Sequence, residues 1–428
     1  MTIISEILLI ISLFLKNWGW LILPILLFFP ARFLYFWWIR WDVWYKKHKW
    51  ILLEIKPPKE ILAPFKAMED VYSLLWGIYD SPTWKDVYCE GQLPYFSFWL
   101  SFEIASIEGE VHFYVRALEA HRQSVESAIY SHYPDAEISL VEDYTKNVPQ
   151  NVPNKDWDIY GSDLQTPRDD FYPLKTYAKF FEESLGVKEE KRIDPLTSLM
   201  EAMSELKKGE QFWLQFVIVP IQDRDIPWTK RGKAVAERLS KPKTEGKKQK
   251  SMISGIFDIF VSPPSVETGP KTTPFEWMPE LTPGVREVIR AIEDKISKFA
   301  YKTNIRGIYI AKRDNWFNPH RLIGQSYFLH FGTVNLNTIY YWDKTRTKIR
   351  YFLADRRNYL RKRKIFRNYI NRFPPLWPRL KARRATFILN IEELATMYHF
   401  PTKAGILAPT VPRVEAKKGG PPPSLPIE

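Results

Sequence analysis

The sequence predicts an α+β protein: an N-terminal transmembrane helix followed by two tandem ferredoxin-like (split βαβ) modules, the second with two long insertions. Three observations predict it. The first fifty residues are apolar and Trp-rich and end in a basic cluster. From Trp50 on, two-residue and 3.6-residue apolar periods alternate in the order β-α-β-β-α-β. The same order then returns with two interruptions. The boundaries are 1–49 for the anchor, 50–165 and 166–400 for the modules, and 401–428 for a Pro/Gly-rich tail.

The anchor comes first. Residues 18–39 carry one charge, Arg32, and are long enough for a hydrocarbon core of about 30 Å. Seven of the 17 Trp lie between Trp18 and Trp50. Trp37, Trp38, Trp41 and Trp44 form an expected headgroup belt, flanked by the basic residues Arg40, Lys46 and Lys47. By the positive-inside rule that end faces the cytoplasm, so the expectation is a single pass in the cytoplasmic membrane with the bulk of the chain inside. Whether residues 3–15 make a second span stays open.

In the first module, 51–56 reads as a strand closed by Pro57-Pro58, and 61–79 as an amphipathic helix. Residues 95–107 and 110–117 make a hairpin around Glu108-Gly109; 120–133 is a helix and 136–142 a strand. In the second module, the expected strand 171–177 precedes a helix at 196–207, with Asp194 as N-cap and Pro195 at its first position. Strands at 211–221 and 304–312, a helix at 319–331 and a strand at 386–390 complete it. The insertions span about 222–301 and 332–385. The first holds a basic helix (229–240), a charged linker (241–250), an amphipathic piece (251–260) and a helix begun by Thr282-Pro283.

The second insertion holds the charge. The whole chain of 428 residues has 62 Lys and Arg against 49 Asp and Glu, a net +13. Residues 343–384 alone hold 16 basic residues and two acids, a net +14, so everything else is close to neutral. Phe352, Tyr359, Phe366 and Phe373 recur every seven residues, which predicts one apolar stripe on a helix otherwise covered with cations. Lys344, Arg346, Lys348, Arg350, Arg356, Arg357, Arg361, Lys362, Arg363, Lys364 and Arg367 form a candidate surface for nucleic acid or lipid. Basic side chains neutralise phosphates, and Tyr351, Tyr359, Phe366 and Tyr369 offer faces for base stacking. Anionic headgroups attract the same cations, and contact with a partner or simple solvation is the third reading.

Catalytic signatures are missing. Cys89 is the single cysteine, which excludes an intramolecular disulfide framework and a multi-thiolate metal site. There is no G-x-x-x-x-G-K-[ST], no G-x-G-x-x-G and no G-x-S-x-G. The seven His are scattered, with no i,i+4 pair. The expectation is a protein that is not an enzyme and uses no cofactor.

Five segments carry a family likeness: WILLEIKPPKE (50–60), FEIASIEGEVHFYVRA (102–117), IYSHYPDAEISLVEDYT (129–145), FILNIEELATMYHFP (387–401) and RVEAKKGGPPPSLP (413–426). Together they resemble the membrane-anchored, non-ATPase N-terminal region of type IV secretion and conjugation-like ATPases of the FtsK/HerA type. The resemblance implies a non-enzymatic scaffold that docks such an ATPase, supplied in trans, in a DNA-translocating machine. Its partners would be that ATPase, membrane lipids, DNA and further copies of the chain. In the family a segment like EELATMYHFP leads into the nucleotide-binding domain. Glu392, Glu393, Leu394, His399 and Pro401 are therefore the expected ATPase-docking motif. The family's ATP-binding residues have no counterparts in this sequence.

Overall fold

The computed structural model describes residues 2–58, 61, 64–92, 98–180, 194–240, 282–373 and 386–401. The amphipathic piece 251–260, the linker 241–250 and the tail from 402 lie outside them. Helix α1 (Thr2–Trp38) runs into a π-helical segment (Ile39–Trp44) and one further turn. Then come β1 (Trp50–Lys56), α2 (Pro64–Trp76), β2 (Leu100–Ile107), β3 (Glu110–Leu118), α3 (Arg122–Tyr130), β4 (Glu137–Val141) and β5 (Trp157–Gln165). After these follow α4 (Pro195–Ser204), β6 (Glu210–Pro220), α5 (Trp228–Ser240), α6 (Pro283–Ile296), β7 (Ala300–Lys312) and α7 (Ile323–Leu329). The chain continues through β8 (Tyr340–Tyr341), α8 (Ala354–Ile370), β9 (Phe387–Asn390) and α9 (Ile391–Met397).

The nine strands form one antiparallel sheet in the order β4-β1-β3-β2-β6-β7-β5-β8, with β9 also on β7. This corrects the expected pair of tandem modules. Strands β2 and β6 pair from Leu100↔Ile218 to Ile107↔Gln211, so the two halves share a continuous ladder. The closing strand also sits elsewhere than a second split βαβ unit requires: β9 pairs with Ala300 to Thr303 of β7, beyond the stretch of β7 taken by β5. The expected strand at 171–177 is irregular, and β5 takes its place earlier in the chain. Its Gly161-Ser162-Asp163 centre reads as a turn in the sequence. In the fold those polar groups are satisfied by Thr347, Trp342 and Thr345, which lets them sit in a strand.

One face of the sheet carries Leu53, Phe102, Ile104, Val115, Leu214, Phe216, Ile305 and Tyr309. They form a single core with α2, α3, α4, α7 and α9. The other face carries Leu52, Ala105, Tyr114, Trp213, Ile308 and Ile310 under the second half of α8. Beside it, Val217, Val219 and Trp99 pack with Trp41 and Trp44 and with α5 and α6. A Cβ on Gly232 of α5 would come within 2.5 Å of Ile296 of α6, so these helices need glycine at their crossing. Asp194 caps α4 by accepting from the Leu196 amide at 2.8 Å, with Pro195 at the first helical position.

The N-terminal expectation is also corrected. Among the described residues, no helix is long and apolar enough to cross a membrane. The aromatic run is used within the fold. Phe36, Ile39, Arg40, Trp41 and Trp44 are buried by the rest of the chain. Trp41 meets Phe373 at 4.0 Å and Trp99 at 6.2 Å between ring centroids. Of the four tryptophans that read as a headgroup belt, Trp41 and Trp44 instead pack the π-helical segment against the sheet.

Candidate anion-binding surface

A polar row crosses the sheet at right angles to the strands. Pairing places Ser139, Glu54, Tyr114, Glu103, Gln215, Arg306 and Asp163 side by side on consecutive strands. Tyr114, Glu103, Gln215, Arg306 and Asp163 are buried, and Ser139 and Glu54 partly so; inside the protein, polar groups must find partners. They do. The Gln215 amide donates to Glu103 at 3.0 Å. Arg306 donates to Gln215 at 3.0 Å and to Asp163 at 2.8 Å. Glu103, Gln215 and Arg306, polar residues inside three neighbouring apolar strands, are the sequence signal for this row.

The row is the seat of α8. Arg306 donates to the carbonyls of Asn368 (2.9 Å) and Phe373 (3.3 Å), satisfying groups the helix end leaves open. Arg372, one residue past the cap, has φ +51°, a region unfavourable for a side chain. Its guanidinium grips Glu103 at 2.9 and 3.0 Å and also bonds Asp143. Burial by itself would raise the Asp143 carboxyl; the Arg372 charge and hydrogen bonds outweigh it and hold that carboxyl below the usual range. Ile365, Phe366 and Tyr369 pack on Trp213 and Ile308. The seven-residue stripe therefore splits: Phe366 is 2% exposed and Phe373 half-buried, but Phe352 is 79% and Tyr359 44% exposed.

The expected cations divide the same way. Arg346 donates to the Tyr160 hydroxyl, and Arg361 to the carbonyls of Asp343 and Arg346. Lys362 pairs with Asp158 at 2.6 Å. These three hold the insertion down. Lys344, Lys348, Arg350, Arg356, Arg363, Lys364 and Arg367 are exposed. Arg357, half-buried, stacks on Tyr351 at 4.7 Å, and Arg363 lies over Tyr359 at 5.8 Å. The repulsion of Arg350, then of Arg321, lowers the Lys348 ammonium from its usual value. Tyr351, Phe352 and Leu353 stand exposed just before α8, and Leu353 has φ +53°. A β-region break would be the usual entry to a helix. An apolar residue in the left-handed region on the surface is costly to hold.

The other expected site residues go elsewhere. Trp41, Trp44 and Arg40 are buried; Trp37, Trp38, Lys46 and Lys47 remain exposed, with Lys46 paired to Asp42 at 2.7 Å. The expected docking motif is internal. Glu393 is the capping-box residue of α9, and its carboxylate pairs with Lys295 at 3.0 Å, both side chains buried. His399 bonds Asp194 at 2.9 Å, Leu394 and His399 are fully buried, and Pro401 is buried. Glu392, at the edge, pairs with Lys298 at 2.6 Å. Burial pushes the Glu393 carboxyl up, and Lys295 only partly offsets it. Among the described residues, no group of three His, Cys, Asp or Glu is placed to hold a metal ion.

Residues 45–322 match the family defined by a domain of unknown function, DUF8128. The chain belongs to that family. The DUF8128 region runs from the end of the N-terminal helical segment through β7 and stops just before α7. It thus contains all seven strands of the polar row. The basic helix and the Glu393–His399 segment follow it. No curated protein matches the sequence.

Proposed function

We propose that this DUF8128 protein binds single-stranded nucleic acid through the exposed half of α8 and the segment before it, without catalysing a reaction. The observation that carries the reading is the pairing of exposed rings with cations on α8 and the segment before it: Tyr351 with Arg357, and Tyr359 with Arg363. Sequence-independent binders of single strands combine a basic track for the backbone with aromatic platforms for the bases. Lys348, Arg350, Arg356 and Arg367 supply the track. The rigid seat on the polar row supports the reading, because it presents the surface in one geometry and little ordering is needed on binding.

Fluorescence anisotropy with a 15-nucleotide single strand, from 50 to 300 mM salt, tests it. Expected is an affinity that falls with salt by about 0.7 log units per phosphate contact for each log unit of salt. Affinity independent of salt, or binding no tighter than that of a neutral polymer, overturns it.

The resemblance to FtsK/HerA-type systems motivates a wider role, in which the chain serves a separate DNA-translocating ATPase. The residues expected to dock that ATPase are occupied inside the fold, so such a contact has to use another surface. Co-purification of an ATPase of that type with the full chain tests this role.

A further inference from the structure

We infer that the cleft at the foot of α8 recognises a guanine base of the bound strand. This rests on the reading of α8 as a nucleic-acid surface, and it adds a base preference to it. The cleft has a volume of about 580 Å³, within the usual range for a small-molecule site and sufficient for one nucleotide. One wall is a single stripe of α8: Asp355, Asn358, Tyr359 and Lys362, spaced i, i+3, i+4 and i+7. The other is built from residues 153–155, Asp158 of β5 and Arg313 just past β7.

Most polar groups in the cleft are already committed. Asp158 is held by Lys362 at 2.6 Å and Arg313 at 3.6 Å. Both amide atoms of Asn358 are used on the backbone of Ile349. Among the described residues, the Asp355 carboxylate and the Lys155 ammonium make no hydrogen bond or ion pair. Tyr359 offers a ring, 44% exposed. Asp355 and Lys155 are both exposed to solvent, so a ligand that brings hydrogen-bond donors to Asp355, a flat face to Tyr359 and a negative charge to Lys155 would use the groups the cleft leaves over.

A nucleotide brings all three, and its base decides the fit. A carboxylate presents two acceptors side by side and binds best to two parallel donors. Guanine has that pair on its Watson–Crick edge, the ring N1–H and the 2-amino group. Cytosine and adenine each place an amino group beside an acceptor, and thymine places one N–H between two carbonyls. Single-stranded bases expose this edge once unstacked and laid on an aromatic ring.

The experiment measures anisotropy of the full chain with an oligo-dT 15-mer and with the same strand carrying one central dG, dA, dC or dI. Expected is a preference of about tenfold for the dG strand over dT. The dI strand, which lacks the 2-amino group, loses most of it. In Asp355→Asn the dG/dT ratio falls to about one, with a thermal unfolding curve showing that the variant folds. Arg350→Ala weakens every strand alike and keeps the ratio. Equal wild-type affinity for dG and dT overturns this inference and leaves the α8 surface standing. A preference that persists in Asp355→Asn overturns the assignment to this cleft. Failure to bind any strand overturns the surface reading and this inference together.

Discussion

Arg372 and Glu103 are 269 residues apart and form a two-pronged ion pair with both side chains fully buried. Through it the end of the basic helix is fastened to the middle of the sheet. The same guanidinium reaches Asp143, and the same carboxylate accepts from Ser101, Tyr144 and Gln215. A charge so enclosed is costly once its partner is removed. Arg372→Met therefore lowers unfolding free energy by about 3–5 kcal/mol, measured in urea. The double variant Arg372→Met/Glu103→Gln loses less than the two single losses combined, because the orphaned carboxylate is gone. Strict additivity in the cycle would show that the pair is not coupled.

Acid destabilises this fold in a defined window. The His112 hydrogen bond, against some burial, holds Glu54 below its usual value, and Arg372 does so for Asp143. A carboxyl lowered in the folded state contributes stability that is complete above its unfolded pKa and disappears as pH falls through the folded one. The unfolded references are 4.5 and 3.8. The melting temperature should thus be insensitive to these groups at neutral pH and drop as pH goes below about 4.5. Glu393 has the opposite sign. Its raised carboxyl means that ionisation costs folding stability as pH rises through the ordinary carboxylate range, so Glu393→Gln, which removes that cost, widens the net gain seen there. A melting temperature flat from pH 5 to 3 contradicts the first expectation.

The two halves of the α8 stripe should respond differently to truncation. Phe366→Ala empties a buried site and costs about 3–5 kcal/mol of stability. Tyr359→Ala leaves the melting temperature within a degree or two and weakens oligonucleotide binding by the loss of a stacking platform, about 1–3 kcal/mol. If Tyr359→Ala binds as wild type, the ring does not stack on a base.

Glu393 and His399 are expected to behave as structural residues. Glu393→Ala leaves Lys295 buried without its counter-charge and costs about 3–5 kcal/mol in chemical denaturation. His399→Ala removes one partner of Asp194 and empties a site against Phe65, whose ring lies 4.2 Å away. Variants that keep wild-type stability and lose only a partner would restore the motif to the surface.

Local signals in this chain were legible where neighbouring residues decide the outcome. The Glu108-Gly109 hairpin, the Asp194-Pro195 helix start and the concentration of charge in 343–384 all follow from residues close in sequence. So does the basic helix itself, although only its second half keeps the apolar stripe inside. What the tertiary structure alone decided is where these pieces meet. Trp41 and Trp44 have the composition of a membrane belt, and only their packing on Trp99 and Phe373 shows another use. Two β-α-β-β-α-β patterns look the same in sequence whether or not β2 and β6 pair, since that pairing joins residues over a hundred positions apart and depends on which edges are left open. Polar residues in apolar strands are costly alone and favourable in a row. That difference lies in the register between strands, which no single segment of the sequence contains.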